Sequence, residues 1–514
     1  MRVKNVKLSY WMIALCMLCV CGVASAQRGV EYRAAVTTNV GDGALAPYYM
    51  ASNRYGTLTQ GKSALASIGA AMRTDSTSHF SYGFGAEMWG GWTSSAAYDR
   101  YEKPQAEWTR NSQHPSRVWL QQLYAELKYR GVYAVIGQKE HRNALTDAAL
   151  SSGDLVLSGN ARPLPGVSAG FVGFQDLPLT HGWVQVNGEL GFYRDVQNNW
   201  LRNHYNYYTG FYTTDTWFNY KRMYFRTKPS NRVSVTVGMQ ASCQFGGERV
   251  CYHKGDVVDR DREKVTFKTF VHALFPGAGE SEGNFGDAQY KEGNHVGSWD
   301  LAVRYTVDKH RTVRAYYQSL FEDGSGIGKL NGWDGLYGLE YRNDEPSIVT
   351  GAVIEYIDFM NQSGPIHWAP NDFPDSPMRN EATGADNYYN NFFYNGYSEL
   401  GMSIGSPFVK STIYNRDGYL QYLDNRIRGM HAAVTGYLSP RLTYRVMASY
   451  RKSWGTPFLP RLQKISGTSV MIEGNYMPVP QVVVKAQLAL DRGGLYGNNF
   501  GAMLTVAYSG VFGK

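Results

Sequence analysis

The chain has 514 residues, a formal net charge of +8, 14% aromatic residues and a mean hydropathy of -0.39. Beyond its N-terminus no segment approaches the apolar length of a spanning helix, which excludes a helical membrane bundle. Its charge lacks the basic blocks that hold nucleic acid, and five cysteines in so long a chain exclude a small disulfide scaffold.

The first element is a leader. Arg2, Lys4 and Lys7 precede the apolar run Leu8–Val23, and Ala24-Ser25-Ala26 gives a small-x-small cleavage pattern before Gln27. Residues 1–26 therefore read as a cleaved Sec signal peptide, and 27–514 as a single domain. An uncleaved anchor would need a longer run. Cys16, Cys19 and Cys21 leave with the leader. Leu18 and Val20, which precede two of them, are too large for a lipoprotein signal. Cleavage lowers the net charge by three.

Period-2 alternation then dominates. Gly29–Ala35, Ser63–Arg73 and Phe80–Trp92 are the first strands; the glycines of the third suit close backbone approach in a curved sheet. Ser94–Pro115 reads as a polar surface loop. Trp119–Tyr129 and Val132–Gln138 form a hairpin about Arg130-Gly131. Gln138–Pro165 has no sustained alternation. Its Ser151, Ser152, His141 and Asp147 allow a hydrolytic triad to be drawn, but without nucleophile-elbow spacing, and its Arg142, Asp154, Asn160 and Arg162 suit any polar loop.

Trp183–Arg194 and Trp217–Lys228 resume the strands. The latter belongs to the clearest hairpin, Arg222–Ala241, which turns at Lys228–Arg232. One face collects Met223, Phe225, Val233, Val235, Val237, Met239 and Ala241; the other collects Arg222, Tyr224, Arg226, Ser234, Thr236 and Gln240. Cys243 and Cys251 follow, placed to close a loop as a disulfide in an oxidising compartment or to stand as free thiols. A zinc site with His253 lacks a recognised spacing. Asp256–Arg262 reads as a charged loop, and Glu263–Phe275 as a short helix with Phe267, Phe270, Val271 and Leu274 on one face, a strand being the alternative.

Trp299–Val307 and its partner after the Asp308–Arg311 turn place Asp300, Arg304, Arg314, Tyr316 and Gln318 on the polar side. Inward arginines such as Arg222, Arg226, Arg304 and Arg314 suit acidic polysaccharide or pairing with carboxylates such as Asp300, the second being preferred. Phe359–Tyr394 is the longest irregular stretch. The turn at Ser439-Pro440-Arg441 resembles that at Lys228–Arg232. Val482–Leu490 alternates again, as does Asn499–Phe512, which ends two residues from the terminus as an assembly-signal strand would. Hairpins of this kind alone, polar on one face and apolar on the other, close into an all-β transmembrane antiparallel barrel. At roughly 25–30 residues per strand with its connection, the length gives about 18 strands, within about 16–20. The 39 tyrosines and 12 tryptophans fit two interfacial girdles.

Several segments then carry a family resemblance: LSGNARPLP at Leu157–Pro165, ADNYYNNFFYNGYSELGMSIGSPF at Ala385–Phe408, NRIRGMHAAVTGY at Asn425–Tyr437, SYRKSWGTP at Ser449–Pro457 and LYGNNFG at Leu495–Gly501. In this order they resemble the Bacteroidetes capsule-assembly proteins of the Wzi family, with Gly159 a departure from the first motif. The resemblance implies an occluded outer-membrane barrel of about eighteen strands in a Gram-negative cell. Such a protein is a lectin that holds capsular or related exopolysaccharide at the surface, and not an enzyme. Its expected partners are that polysaccharide, outer-membrane lipid and lipopolysaccharide, and the barrel assembly machinery; neither cofactor nor metal is expected. A porin or sugar-selective channel is the alternative, and an outer-membrane hydrolase a third reading.

Sugar recognition combines aromatic faces with amides and charges. Asn387, Tyr388, Tyr389, Asn390 and Asn391 offer that mixture, and Asn331, Trp333 and Asp334 form a second cluster. The same residues also suit girdle aromatics and asparagine turns.

Overall fold

Each strand expected from alternation is present, and the strands close on themselves. The computed structural model describes residues 29–141, 145–275, 293–322, 324–329, 331–362 and 386–513. The expected leader at 1–26, Arg142 and part of the 359–394 stretch lie outside these. Eighteen antiparallel strands form the wall. They are β1 (Val30–Leu45), β2 (Gln60–Met72), β3 (Phe80–Thr93), β4 (Val118–Tyr129), β5 (Val132–Gln138) and β6 (Pro165–Phe171, resuming at Gln175–Asp176). Next come β7 (Val184–Arg194), β8 (Trp217–Thr227), β9 (Val233–Phe245), β10 (Asn294–Thr306), β11 (Arg311–Phe321) and β12 (Gly335–Asn343). The wall is completed by β13 (Gly351–Asp358), β14 (Ile427–Ser439), β15 (Leu442–Gly455), β16 (Pro460–Val479), β17 (Val482–Gly493) and β18 (Asn499–Phe512). β1 pairs with β18 from Val30 opposite Phe512 to Gly41 opposite Gly501, which leaves no open edge.

Burial runs opposite to that of a water-soluble protein. Val237, Leu301, Leu488 and Leu504 are 41–52% exposed on the outer face, whereas Ser298, Gln318, Arg451 and Gln487 on the inner face are at most 1% exposed. Only an apolar surrounding medium makes that arrangement favourable. No helix among the described residues is long and apolar enough to cross a membrane; the strands are the spanning elements. Outer-face aromatics gather near both ends, with Tyr32 against Phe512 and Tyr508 at one, and Tyr337 between Tyr317 and Tyr356 at the other. Close approach explains Gly85 on β3: a Cβ there would lie 2.6 Å from the Tyr124 ring of β4.

The links at 130–131, 228–232, 307–310, 440–441 and 480–481 lie at one end with Val30 and Phe512. The connections 46–59, 94–117, 139–164, 195–216, 246–293 and 359–426 leave from the other. Two of these correct the sequence reading. Residues 94–115 contain a hairpin, Ala96–Glu102 with Glu107–Gln113. Asp256–Glu263 is a strand, joined to Gly247–His253 and through it to Thr209–Thr214. Neither pairs with the wall sheet, and neither needs a face turned to an apolar medium, so sustained alternation is not required of their strands. The helix expected near 263–275 forms at Phe267–Leu274, with Thr266 and Thr269 in a capping box. Its Phe270 packs on Phe192, Trp217 and Phe245, while Phe267 stays exposed.

Candidate functional site

The lumen is filled from the long-connection end. Residues 145–164 dip into it and meet the wall through specific polar anchors. The Glu355 carboxylate on β13 accepts from Ser151 Oγ and from the Ser152 N–H, each at 2.6 Å, and from the Tyr316 hydroxyl. Asp154 accepts from Gln240 Nε2 at 2.8 Å, Gln318 Nε2 at 2.7 Å, and the N–H groups of Val156 and Leu157. Between the anchors, Leu150, Leu155 and Val156 are fully buried. A buried carboxylate is tolerable only when so fully hydrogen-bonded.

A second inward segment, 386–424, packs over the first, and Tyr389 and Tyr397 donate to the Leu155 and Val156 carbonyls at 2.6 and 2.9 Å. The third, 46–59, carries the short helix Tyr48–Ala51. Its Tyr48 N–H donates to Asp491 at 2.9 Å, and its Tyr49 hydroxyl hydrogen-bonds His431 Nδ1 at 2.8 Å. Arg451, fully buried, lies between the rings of Tyr48, Tyr496 and Phe408, 3.8–5.1 Å from their centroids. At the base of the second segment burial would raise Asp424, but Arg461, which grips it with two hydrogen bonds, and Lys410 at 2.7 Å hold it down at about 2.

The sequence-predicted site residues come together here, though mostly as packing. Asn331 is buried and donates to the Leu320 carbonyl and to the Tyr388 hydroxyl, which joins the two clusters. Asn390 brackets Tyr422 through its N–H and carbonyl, Asn387 accepts from Asn425, and Asn391 closes a turn with the Phe393 N–H. Tyr388 and Tyr389 have no exposed surface. The expected open aromatic face at 387–391 is therefore a packed one, because the segment folds inward instead of standing on the rim. Trp333 is the exception at 76% exposure. It edges a shallow cavity of about 490 Å³ with Asp334, Tyr337, Asn361 and the ion pair of Asp358 with Arg428. Burial pushes Asp334 up to about 6 although the Gln362 and Asn361 N–H groups bond it.

A second aromatic surface escaped sequence reasoning. The 96–113 hairpin packs beside the sheet of Thr209–Thr214, Gly247–His253 and Asp256–Glu263, tied by Lys103 to Asp256 and by Arg100 stacked on Tyr207. On this cap Tyr101, Trp108 and Tyr208 meet with centroids 5.0–5.8 Å apart, and Trp108 is half-exposed. The three come from separate segments, so no local motif marks them.

The two cysteines take the unlinked of their two expected states, and the inward arginines pair with carboxylates other than Asp300. Cys243 and Cys251 are not bonded to each other. Cys243 is on the outer side of β9 beneath the Phe267–Leu274 helix and beside His295, whereas Cys251 belongs to the cap sheet opposite Phe211. Asp300 takes no arginine: Tyr224, Ser298 and Gln240 donate to it. Arg222 pairs instead with Glu189 and Arg314 with Glu340, while Arg226 bonds Gln185. His141 approaches Glu189 at 3.3 Å and Asp147 pairs with Arg342, so the drawn triad residues are held by different wall strands. Among the described residues no three His, Cys, Asp or Glu side chains cluster to hold a metal ion.

Comparison with known proteins fits this architecture. No protein-family model matches the chain, and no curated protein matches its sequence. The barrel is similar to that of Wzi from Escherichia coli, an outer membrane protein involved in group 1 capsule assembly and a carbohydrate-binding β-barrel. The TM-score is 0.54 at 11% identity, over 96% of this chain and 87% of that one. The fold is that of an outer-membrane barrel. Lower similarity extends to OccAB2 of Acinetobacter baumannii (TM-score 0.46, 8% identity, 95% and 98% covered). OprD of Pseudomonas aeruginosa gives a TM-score of 0.44 at 8% identity, again over 95% and 98%.

Proposed function

We propose that this protein is an outer-membrane lectin that binds capsular or other surface polysaccharide and holds it at the cell, working by binding and not by catalysis. The observation that carries this reading is the combination of a lumen filled by the chain's own anchored loops with aromatic surfaces at the same end. Trp333, backed by Asp334 and the Asp358–Arg428 pair, and the Tyr101–Trp108–Tyr208 group offer flat apolar faces beside charges and amides, the mixture that sugar rings require. Asn331 and Tyr388, joined by a hydrogen bond, tie the Trp333 turn to the inward segment, which Asn387, Tyr389, Asn390 and Asn391 hold together. On this reading the leader directs export, the barrel assembly machinery inserts the wall, and lipid with lipopolysaccharide surrounds it. The carbohydrate-binding description of the E. coli barrel of similar fold is in keeping with this function.

The test is a deletion strain in which cell-bound and released polysaccharide are separated and quantified by immunoblot. The anchoring function predicts that polysaccharide is still made but shed into the medium. Unchanged pools, together with stepwise conductance of the purified barrel in a planar bilayer, would replace the lectin by a channel.

A further inference from the structure

At the short-turn end of the barrel the described residues leave an open space. A cavity of about 870 Å³ opens there beside Glu31, Arg73 and Thr74 and runs inward along the inner faces of β4 to β8. It ends against residues 157–164 of the inward loop. Its volume lies in the range of about 300–1,000 Å³ usual for small-ligand sites. Tyr133, Tyr193 and Phe171 supply aromatic wall, and Glu189 with its partners Arg222 and His141 supplies a polar one.

Hydrogen-bonding capacity in this wall is unbalanced. Arg222 Nε and Nη1 and Arg162 Nε are buried donors without a protein partner, against one unmatched amide acceptor in the wall, Asn187 Oδ1, with Glu399 Oε1 behind Arg162 also unmatched. Buried N–H groups are seldom left so. Arg162 is the most telling of them. It stacks on Trp119 with 5.0 Å to the ring centroid and forms no ion pair with a described residue. Burial lowers it to about 10, so it is charged at neutral pH. The carboxylate it senses, Glu399, is itself held by burial well above the ordinary carboxylate range. Elsewhere in the cavity the cations are matched: Lys139 by Glu126, Arg73 by Glu31.

We propose that this cavity is a binding site for a short acidic glycan, entered from the short-turn end, in which Arg162 meets a sugar carboxylate while Tyr133 and Tyr193 line the rings. The inference rests on the lectin reading and adds a second, interior site that faces the side from which a nascent chain would arrive. It assigns that site to uronic-acid-type units, since an acceptor-rich anion supplies what the unmatched donors lack.

The experiment uses the full-length protein in detergent, with heat-modifiable gel mobility as the folding check. Binding of trigalacturonate and of neutral maltotriose is measured by titration calorimetry, and binding of the purified host polysaccharide in parallel. Trigalacturonate is expected to bind with at least tenfold preference over maltotriose. Arg162→Gln should weaken it at least tenfold and Arg162→Lys should restore part of the loss. Thr74→Trp, which narrows the mouth without touching Arg162, should weaken it as well. If trigalacturonate fails to bind, or binds undiminished to both Arg162→Gln and Thr74→Trp, the interior site is overturned; host polysaccharide still bound would then leave the lectin reading standing. Loss of every glycan signal from the wild-type protein would end both.

Discussion

Trp333 and Tyr388 lie in one joined cluster yet answer differently to truncation. Trp333 exposes most of its ring, so Trp333→Ala should leave the barrel's stability nearly unchanged and weaken polysaccharide affinity about tenfold, since aromatic contacts carry about 0.5–1.5 kcal/mol beyond area alone. Trp108→Ala on the cap should act alike. Tyr388 is fully buried, with its hydroxyl bonded to Asn331. Its replacement by Ala should cost about 3–5 kcal/mol of stability, as for other buried aromatic rings. Calorimetric glycan titration together with urea unfolding separates the two effects. Equal loss of affinity in folded Trp333→Ala and Tyr388→Phe would show that the shelf itself, and not the exposed ring, meets sugar. Asparagine and tyrosine in a row are ambiguous in sequence because the same side chains close turns and contact hydroxyls. Burial decides between these roles, and burial of 387–391 depends on a lumen built by strands far away in the chain.

The inserted segments depend on a few acceptors. Glu355 takes three donors from the 139–164 loop and the wall, so Glu355→Ala strands each of them, at about 1–3 kcal/mol apiece for a buried unmatched group. The loop should become cleavable by added protease, and planar-bilayer recordings should show flickering current that the wild type lacks. The cap should lose stability in acid. His204 stacks on Trp200 and Tyr98, neither of its ring nitrogens has a partner, and burial alone lowers it to about 4. In the unfolded chain it titrates near 6.5. The unfolded state therefore takes up a proton first as pH falls, and cap stability declines between about 6.5 and 4 by about 3 kcal/mol before levelling off. Hydrogen exchange across residues 198–214 at pH 7.5 and 4.5 checks this, and His204→Phe should abolish the difference. These elements were the least legible in the sequence. The wall strands announced themselves because each must be apolar on one face, whereas the cap strands at 96–113 and 256–263 face no lipid. Their partners are each other and distant loop residues, such as Arg416 and Asn206 for the 96–102 strand and Tyr394 for Glu263.

At the scale of the whole molecule, the closure of β1 on β18 follows from one constraint: in an apolar medium no backbone edge can stay unpaired. That constraint repeats along the chain, which is why alternation recovered much of the wall, including Asn499–Phe512 to the residue, although the strands at Pro165–Phe171, Gly335–Asn343, Gly351–Asp358 and Pro460–Val479 escaped it. It makes no demand on what fills the interior, so the inward loops had to be met in three dimensions. It also yields a depth-dependent prediction. Leu301 lies midway along β10 on the outer face, and Tyr305 lies four residues nearer the short-turn end with Arg232 over its ring. Leu301→Arg should cost about 2–4 kcal/mol of folding free energy in phospholipid vesicles, and Tyr305→Arg about 0–1 kcal/mol, because a cation near the interface reaches water and one at the midplane does not. A water-soluble barrel would show no such gradient and would favour either arginine at these exposed positions. Urea titration of refolded protein in vesicles measures both. Equal costs would mean that the outer face, apolar as it is, does not meet a bilayer, and the membrane placement on which the glycan-holding function depends would fall with it.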